Sequence, residues 1–155
     1  MLKIPKWTYD EMKQTGVDYS SVEQVRRYDG GFLTYNHDAE PADAMVSIAA
    51  LHHLPDFWKS VALRRAAAML KVGGRFFLFD IVFPSEAADL EDQINAWVRS
   101  TALQSGPELA VEAEIHIIEE YSTYDWIMEG LLERVGFKIE SAEYGDGFQA
   151  TYVCQ

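Results

Sequence analysis

Residues 43–80 read DAMVSIAALHHLPDFWKSVALRRAAAMLKVGGRFFLFD. Ala44–Ala49 (AMVSIA) is apolar with little alternation, the pattern of a strand buried on both faces of a parallel sheet. A His-His-Pro turn follows, with Asp56 as a helix N-cap. Trp58, Val61, Ala62, Ala66, Met69 and Leu70 then recur at the spacing of one helical face. Gly73 or Gly74 is placed to end that helix in the left-handed region. Arg75–Val82 (RFFLFDIV) is a second apolar run. A strand, a helix and a strand at this spacing make a βαβ crossover, so the two strands run parallel.

Working outward toward the C-terminus, Leu90, Ile94, Trp97 and Val98 form an amphipathic stripe that Gly106-Pro107 interrupts. The region Ser122–Asp125 is suited to start a helix carrying Ile127, Leu131, Leu132 and Val135, which Gly136 stops. Phe137–Tyr144 and Phe148–Val153 read as two strands joined by the turn Tyr144-Gly145-Asp146-Gly147. Toward the N-terminus, Ser20 and Glu23 have capping-box spacing for a short helix over Val22–Tyr28. Asp29-Gly30-Gly31 is a turn signal, and Phe32–Tyr35 reads as a short extended piece.

The chain has 155 residues, the size of one domain, with 48% apolar and 25% charged residues. Thirteen Lys and Arg against twenty-five Asp and Glu give a net charge of −12. That balance disfavours nucleic acid, whose phosphates require a basic footprint. The single cysteine, Cys154, precludes an intrachain disulfide. No stretch resembles a signal peptide or membrane span, so a cytoplasmic protein with no membrane partner is expected.

The order of elements after Ala42 resembles the second half of a class I S-adenosylmethionine-dependent methyltransferase of the small-molecule type. There a fourth strand ends in a loop, a helix follows, a K-x-G-G-R-like turn enters the fifth strand, and an antiparallel hairpin closes the sheet. Here these are Ala44–Ala49, Leu51–Asp56, Phe57–Lys71, Lys71–Arg75, Arg75–Val82 and Phe137–Val153. LLERVGF before the hairpin is similar to the family as well. PKWTYDEMKQTGVDYSSVEQVRRYD looks like the N-terminal cap of one bacterial subgroup. The resemblance implies an α/β fold: a truncated, Rossmann-like methyltransferase sheet with a C-terminal antiparallel hairpin. The expected strand order is Ala44–Ala49, Arg75–Val82, Phe148–Val153, Phe137–Tyr144. One domain spans 1–155, with 1–29 as a cap segment and 30–155 as the C-terminal part of the methyltransferase domain.

The family's cofactor-binding half is not legible. No G-x-G-x-x-G-like turn occurs in the chain, and no carboxylate stands where one would take the cofactor's ribose hydroxyls. Two βαβ units sharing a strand, on the order of 50–70 residues, are missing between Tyr28 and Gly31, as by an internal deletion. By resemblance, Gly31, Phe32, Ala49, Leu51, His52 and His53 form the remaining cofactor wall. Gly31 stands where the family often has Asp. S-adenosylmethionine binding is therefore expected to be weak or absent. The partner implied is a small-molecule methyl acceptor, and the alternative is a non-catalytic remnant acting as an interaction module. A homodimer is expected through Ala44–Ala49, whose missing neighbour leaves an apolar edge. Phe32–Tyr35 folding back as a substitute strand is the competing arrangement.

Other chemistries fit the residues less well. His52-His53 suggests a metal site with His37, Asp56 or His116, but adjacent histidines diverge, and no metal is expected. Ser47 with His52 or His53 and Asp80 makes a poor hydrolase triad, because Ser47 sits inside a strand and not in a nucleophile elbow. Asp80 lies where α/β sheets put ligands, though capping a neighbouring amide explains it as well. His116, Tyr121 and Tyr124 are candidates for substrate contact. Trp7, Trp97 and Trp126 read as core or lid packing. No catalytic residue is assigned.

Overall fold

The computed structural model describes residues 30–84, 89–145 and 147–155. The chain divides into two compact units, Met1–Gly31 and Phe32–Gln155, and every described helix and strand belongs to the second. The expected helix over Val22–Tyr28 and Trp7 lie outside the described residues, as do Glu86–Ala88 ahead of the third helical segment.

In chain order the elements are β1 (Ala42–Ile48), a 3₁₀ turn (Leu51–His53), α1 (Asp56–Met69), β2 (Leu70–Phe83), α2 (Leu90–Ser105), α3 (Pro107–Glu119), β3 (Thr123–Tyr124), α4 (Asp125–Arg134), β4 (Ile139–Tyr144) and β5 (Gln149–Cys154). The sheet order is β1-β2-β5-β4, with the short β3 beside the end of β2. β1 and β2 are parallel, while β5 runs antiparallel to both β2 and β4. Strand order and directions are those the sequence implies.

Register separates the two faces of the sheet. Phe76, Leu78, Asp80 and Val82 alternate inward along β2, opposite Cys154, Tyr152 and Ala150 of β5. Leu63 and Ala62 of α1 and Met128 and Leu132 of α4 pack on this face and form the core with them. On the other face lie Val46 and Ile48, paired with Phe77 and Phe79. Val46 is 61% exposed and Ile48 62%. The sequence implies a β1 buried on both faces, whereas Ser47 is its one fully buried residue. Its apolar run records two apolar faces, only one of which the described helices cover.

The helix after the His-His-Pro turn starts at Asp56 itself, with Pro55 as N-cap, and ends at Met69. Leu70 is already extended, so neither glycine stops the helix. Gly73 and Gly74 instead serve the irregular entry into β2. Gly73 has φ +79°, and a Cβ on Gly74 would lie 2.9 Å from the Lys71 carbonyl oxygen and 3.2 Å from that of Asp43. The buried stripe of α1 is Lys59, Ala62, Leu63 and Ala66. It is rotated from the expected one, and Trp58 is 46% exposed. Ala62 and Ala66 lie buried on the inner face, while the bulkier Phe57 and Trp58 are turned outward.

Phe32–Thr34 is a turn and not a strand. The Phe32 and Tyr35 carbonyls accept from the Arg65 guanidinium at 2.9 and 2.5 Å, tying this segment to α1. The fold-back of Phe32–Tyr35 onto β1 is therefore not realised. α2 contains no fully buried residue, and it packs chiefly on α3.

Candidate active site

The site begins where β1 stops. Ala49 has φ +46°, a left-handed conformation that costs an L-residue on the order of 1 kcal/mol. Its N–H still bonds the Phe79 carbonyl at 2.8 Å, so the chain leaves the sheet abruptly into the turn Leu51–His53. Turn and strand end are then locked by Asp80. Its Oδ2 accepts from the Leu51 amide at 2.8 Å, and its Oδ1 lies 2.5 Å from His52 Nδ1 and 2.9 Å from the Ile81 amide.

Asp80 is wholly buried. Burial pushes its carboxyl upward, but the His52 hydrogen bond, the Ile81 and Leu51 amides and the His52 charge outweigh it and hold the group below its ordinary value. A carboxylate kept ionised accepts only, so His52 Nδ1 carries the proton and Nε2 faces the other way. Asp80 caps an amide, as the simplest sequence reading holds, and it also orients a histidine.

His52 Nε2 points toward the end of α3. Glu120 Oε2 is 3.4 Å from it, and the His52 and His116 rings meet edge-on with centroids 4.8 Å apart. His116 Nδ1 contacts the same Glu120 oxygen, while its Nε2 is 2.8 Å from Ser122 Oγ. Burial first, and then the His52 charge, pull His116 below the ordinary histidine value against the opposing pull of Glu120. The Tyr121 amide donates to the His52 carbonyl at 2.7 Å and fixes the chain after α3 against the turn. Buried Lys59 reinforces this, with its ammonium on Asp56 Oδ1 at 2.8 Å and on the Tyr121 carbonyl.

Next to this cluster lies a cleft of about 700 Å³ between α2, the end of β2 and the β4–β5 turn. Val82, Trp97, Phe148 and Tyr144 give it apolar walls, and Gln93, Ser100, Thr101 and Gln149 give it neutral polar groups. Trp97 belongs to both places. It lines the cleft, and its ring meets His116 and Phe148 edge-on at 6.3 and 5.6 Å.

The expected site residues are only partly together. Ala49, Leu51, His52 and His53 share one turn at the carboxyl ends of β1 and β2. Leu51 and His52 are buried there, and the His53 side chain is 56% exposed. Phe32 is held on α1 through its carbonyl, and Gly31 falls in the other compact unit. His37 bonds Tyr35 and the Glu40 carbonyl, and Asp56 pairs with Lys59 and Thr123. Of the histidines and carboxylates that the sequence offers as partners of His52, His116 and Asp80 join it. Ser47 Oγ is buried without a hydrogen-bond partner, so no triad forms. Trp126 is 61% exposed and is not core packing. Glu120 and Lys59 escape the sequence reading. The signal for Glu120 is its position four residues after His116, one turn along the same helix face.

No family model matches the chain. It is 29% identical over 115 residues to an uncharacterized methyltransferase of Geobacillus thermodenitrificans, covering 74% of this chain and 49% of the relative. It is 26% identical over 176 residues to the 27-O-demethylrifamycin SV methyltransferase of Amycolatopsis mediterranei, covering 88% and 61%. Human N-acetylserotonin methyltransferase, solved with S-adenosylmethionine, superimposes with a TM-score of 0.56 at 18% identity over 88% of this chain and 35% of its own. That likeness establishes the fold. The chain spans about half the length of the first of these relatives.

Proposed function

The chain is related in sequence and in fold to the class I S-adenosylmethionine-dependent methyltransferases, and from that premise we propose that it serves methyl transfer to a small, uncharged acceptor. The sulfonium methyl is already electrophilic, so the protein's task is to align the nucleophile, carbon and leaving sulfur and to receive the acceptor's proton. The observation that carries the reading is the His52–Asp80 pair at the carboxyl ends of two parallel strands, where such sheets place their ligands. The acceptor occupies the neighbouring cleft, whose polar groups are neutral and whose Trp97 wall abuts the histidines. Its proton passes to the buried cluster built on His52.

Ala49, Leu51, His52 and His53 are the cofactor-facing turn in this reading, with His53 as the side chain open to a ligand. His52 serves through its buried ring. The cofactor is S-adenosylmethionine, bound weakly. An internal deletion accounts for the missing Gly-rich turn in this reading. The alignment to the Amycolatopsis enzyme supports the deletion, since its 176 residues exceed the 155 of this chain and part of that relative faces no residue here. No helix among the described residues is long and apolar enough to cross a membrane, and we place the protein in the cytoplasm.

An amide NMR titration with S-adenosylhomocysteine tests the reading. Shifts confined to Ala49–His53 and saturating only at millimolar ligand are expected. Unmoved amides in that turn overturn the cofactor assignment, and micromolar affinity overturns the claim of weak binding.

A further inference from the structure

We propose that His52, His116 and Glu120 form a binding site for a divalent first-row transition-metal ion. One donor atom from each lies within 4.8 Å of the other two. Both imidazoles are buried, at 5% and 8% exposure. Metal–nitrogen and metal–oxygen bonds of about 2.0–2.2 Å place neighbouring donors roughly 3 Å apart. The His52 Nε2 to Glu120 Oε2 separation of 3.4 Å fits that spacing.

The hydrogen bonding around the three residues points to the same centre. Each histidine has its far nitrogen engaged, His52 Nδ1 on Asp80 at 2.5 Å and His116 Nε2 on Ser122 at 2.8 Å. This is the outer support that fixes a ligating imidazole and raises its basicity. The near nitrogens converge on Glu120 Oε2, a buried oxygen that His116 Nδ1 contacts directly and that makes no hydrogen bond of ordinary geometry. With Nδ1 held by Asp80, His52 turns Nε2 toward the Glu120 carboxylate. A cation between them would be coordinated by both, and its double charge would offset buried Asp80 and half-buried Glu120.

Two imidazoles and one carboxylate select a borderline cation such as zinc, cobalt or iron(II) over magnesium or calcium. A three-ligand site also keeps open positions. Exposed His53, whose Nδ1 is 3.4 Å from Glu120 Oε1, lies on the open side with solvent. Metal binding is measurable without cofactor or turnover, so its failure is distinct from failure of the methyl-transfer reading.

The test uses the full, untagged chain stripped with chelator and titrated with zinc by calorimetry and with cobalt(II) by visible absorption. One-to-one saturable binding, a tetrahedral or five-coordinate cobalt spectrum and a metal-dependent rise in Tm are expected. Glu120→Gln and His116→Gln should each weaken zinc at least ~100-fold, and Asp80→Asn about 10–100-fold. His37→Ala, outside the cluster, should leave binding unchanged. Circular dichroism checks that each variant folds. If the cluster variants do not fold, the wild-type Tm shift and cobalt spectrum decide. Absence of saturable binding to the wild-type chain overturns the proposal, as does affinity unchanged by both Glu120→Gln and His116→Gln.

Discussion

The Lys59 ammonium donates to the Tyr121 carbonyl, so a lysine with no exposed surface joins α1 to the segment that follows α3. Asp56, one turn earlier, accepts from both Lys59 and Thr123 and completes the tie. This places Glu120 and His116 against His52.

Replacing Lys59 by Met keeps the apolar stem and removes the charge. It leaves the Tyr121 carbonyl without its donor and Asp56 without its cation. A loss of about 2 kcal/mol in urea unfolding is expected, because Asp56 is half-exposed and water recovers part of the cost. Amide exchange should accelerate at Tyr121–Thr123 more than in β5. An unchanged unfolding midpoint would show the tie to be dispensable.

Helix α2 should open ahead of the sheet. It has no fully buried residue, and Gly106, at φ +96°, separates it from α3. Amides of Ile94–Val98 are expected to exchange faster than those of Phe76–Phe79. Equal protection in the two stretches would make α2 part of the core.

Alkaline pH should destabilise the fold through Cys154 and Tyr144. Burial, and then the Glu140 charge, raise the Cys154 thiol from 9.0 to about 11. Burial and the Glu129 hydrogen bond raise Tyr144 from 10.0 to about 12. Both folded values lie above the unfolded ones, so the stability they contribute is whole below pH 9 and is lost as pH rises through the folded values. For wholly buried Cys154 the loss approaches roughly 3 kcal/mol. Thermal melts from pH 8 to 11 measure it, and thiol alkylation of the native chain should stay slow at pH 9. Fast alkylation there would contradict the burial of the sulfur.

The chain should self-associate through β1, which among the described residues pairs with β2 alone. Val46 and Ile48 present apolar surface beside that edge, with Phe77 continuing the patch onto β2. Light scattering is expected to give a dimer that Val46→Lys shifts to monomer. A strict monomer at high concentration, indifferent to the substitution, would remove the interface.

Much of this fold is legible because its elements carry strong local signals. The apolar runs AMVSI and RFFLFDIV, the Gly106-Pro107 break and the Gly-rich hairpin turn each restrict the backbone on their own. The end of α1 is not legible in the same way. A helix-stop glycine and a bulge glycine are the same residue in sequence, and only the close approach of the Lys71 and Asp43 carbonyls to Gly74 distinguishes them. The exposure of Val46 and Ile48 is likewise hidden, since an uncovered apolar face has the composition of a covered one. For the site, His52 and Asp80 are visible as candidates at strand ends. Their meeting with His116 and Glu120 depends on how α3 returns to the turn, a tertiary fact secured by Lys59 and the Tyr121 amide.

The parallel pairing of β1 with β2 has a consequence for any such dimer. A two-fold axis normal to the sheet, setting β1 beside its own copy, runs the two strands in opposite directions. The first strand of the related fold, joined through βαβ crossovers, runs in the same direction as β1. Self-pairing of this kind closes the edge but points the copy's His52 turn to the opposite end of the joined sheet. Two copies would give two separate half-rims and not one completed bowl. A strand standing beside Ala49 in parallel with β1 has the opposite polarity to such a twin.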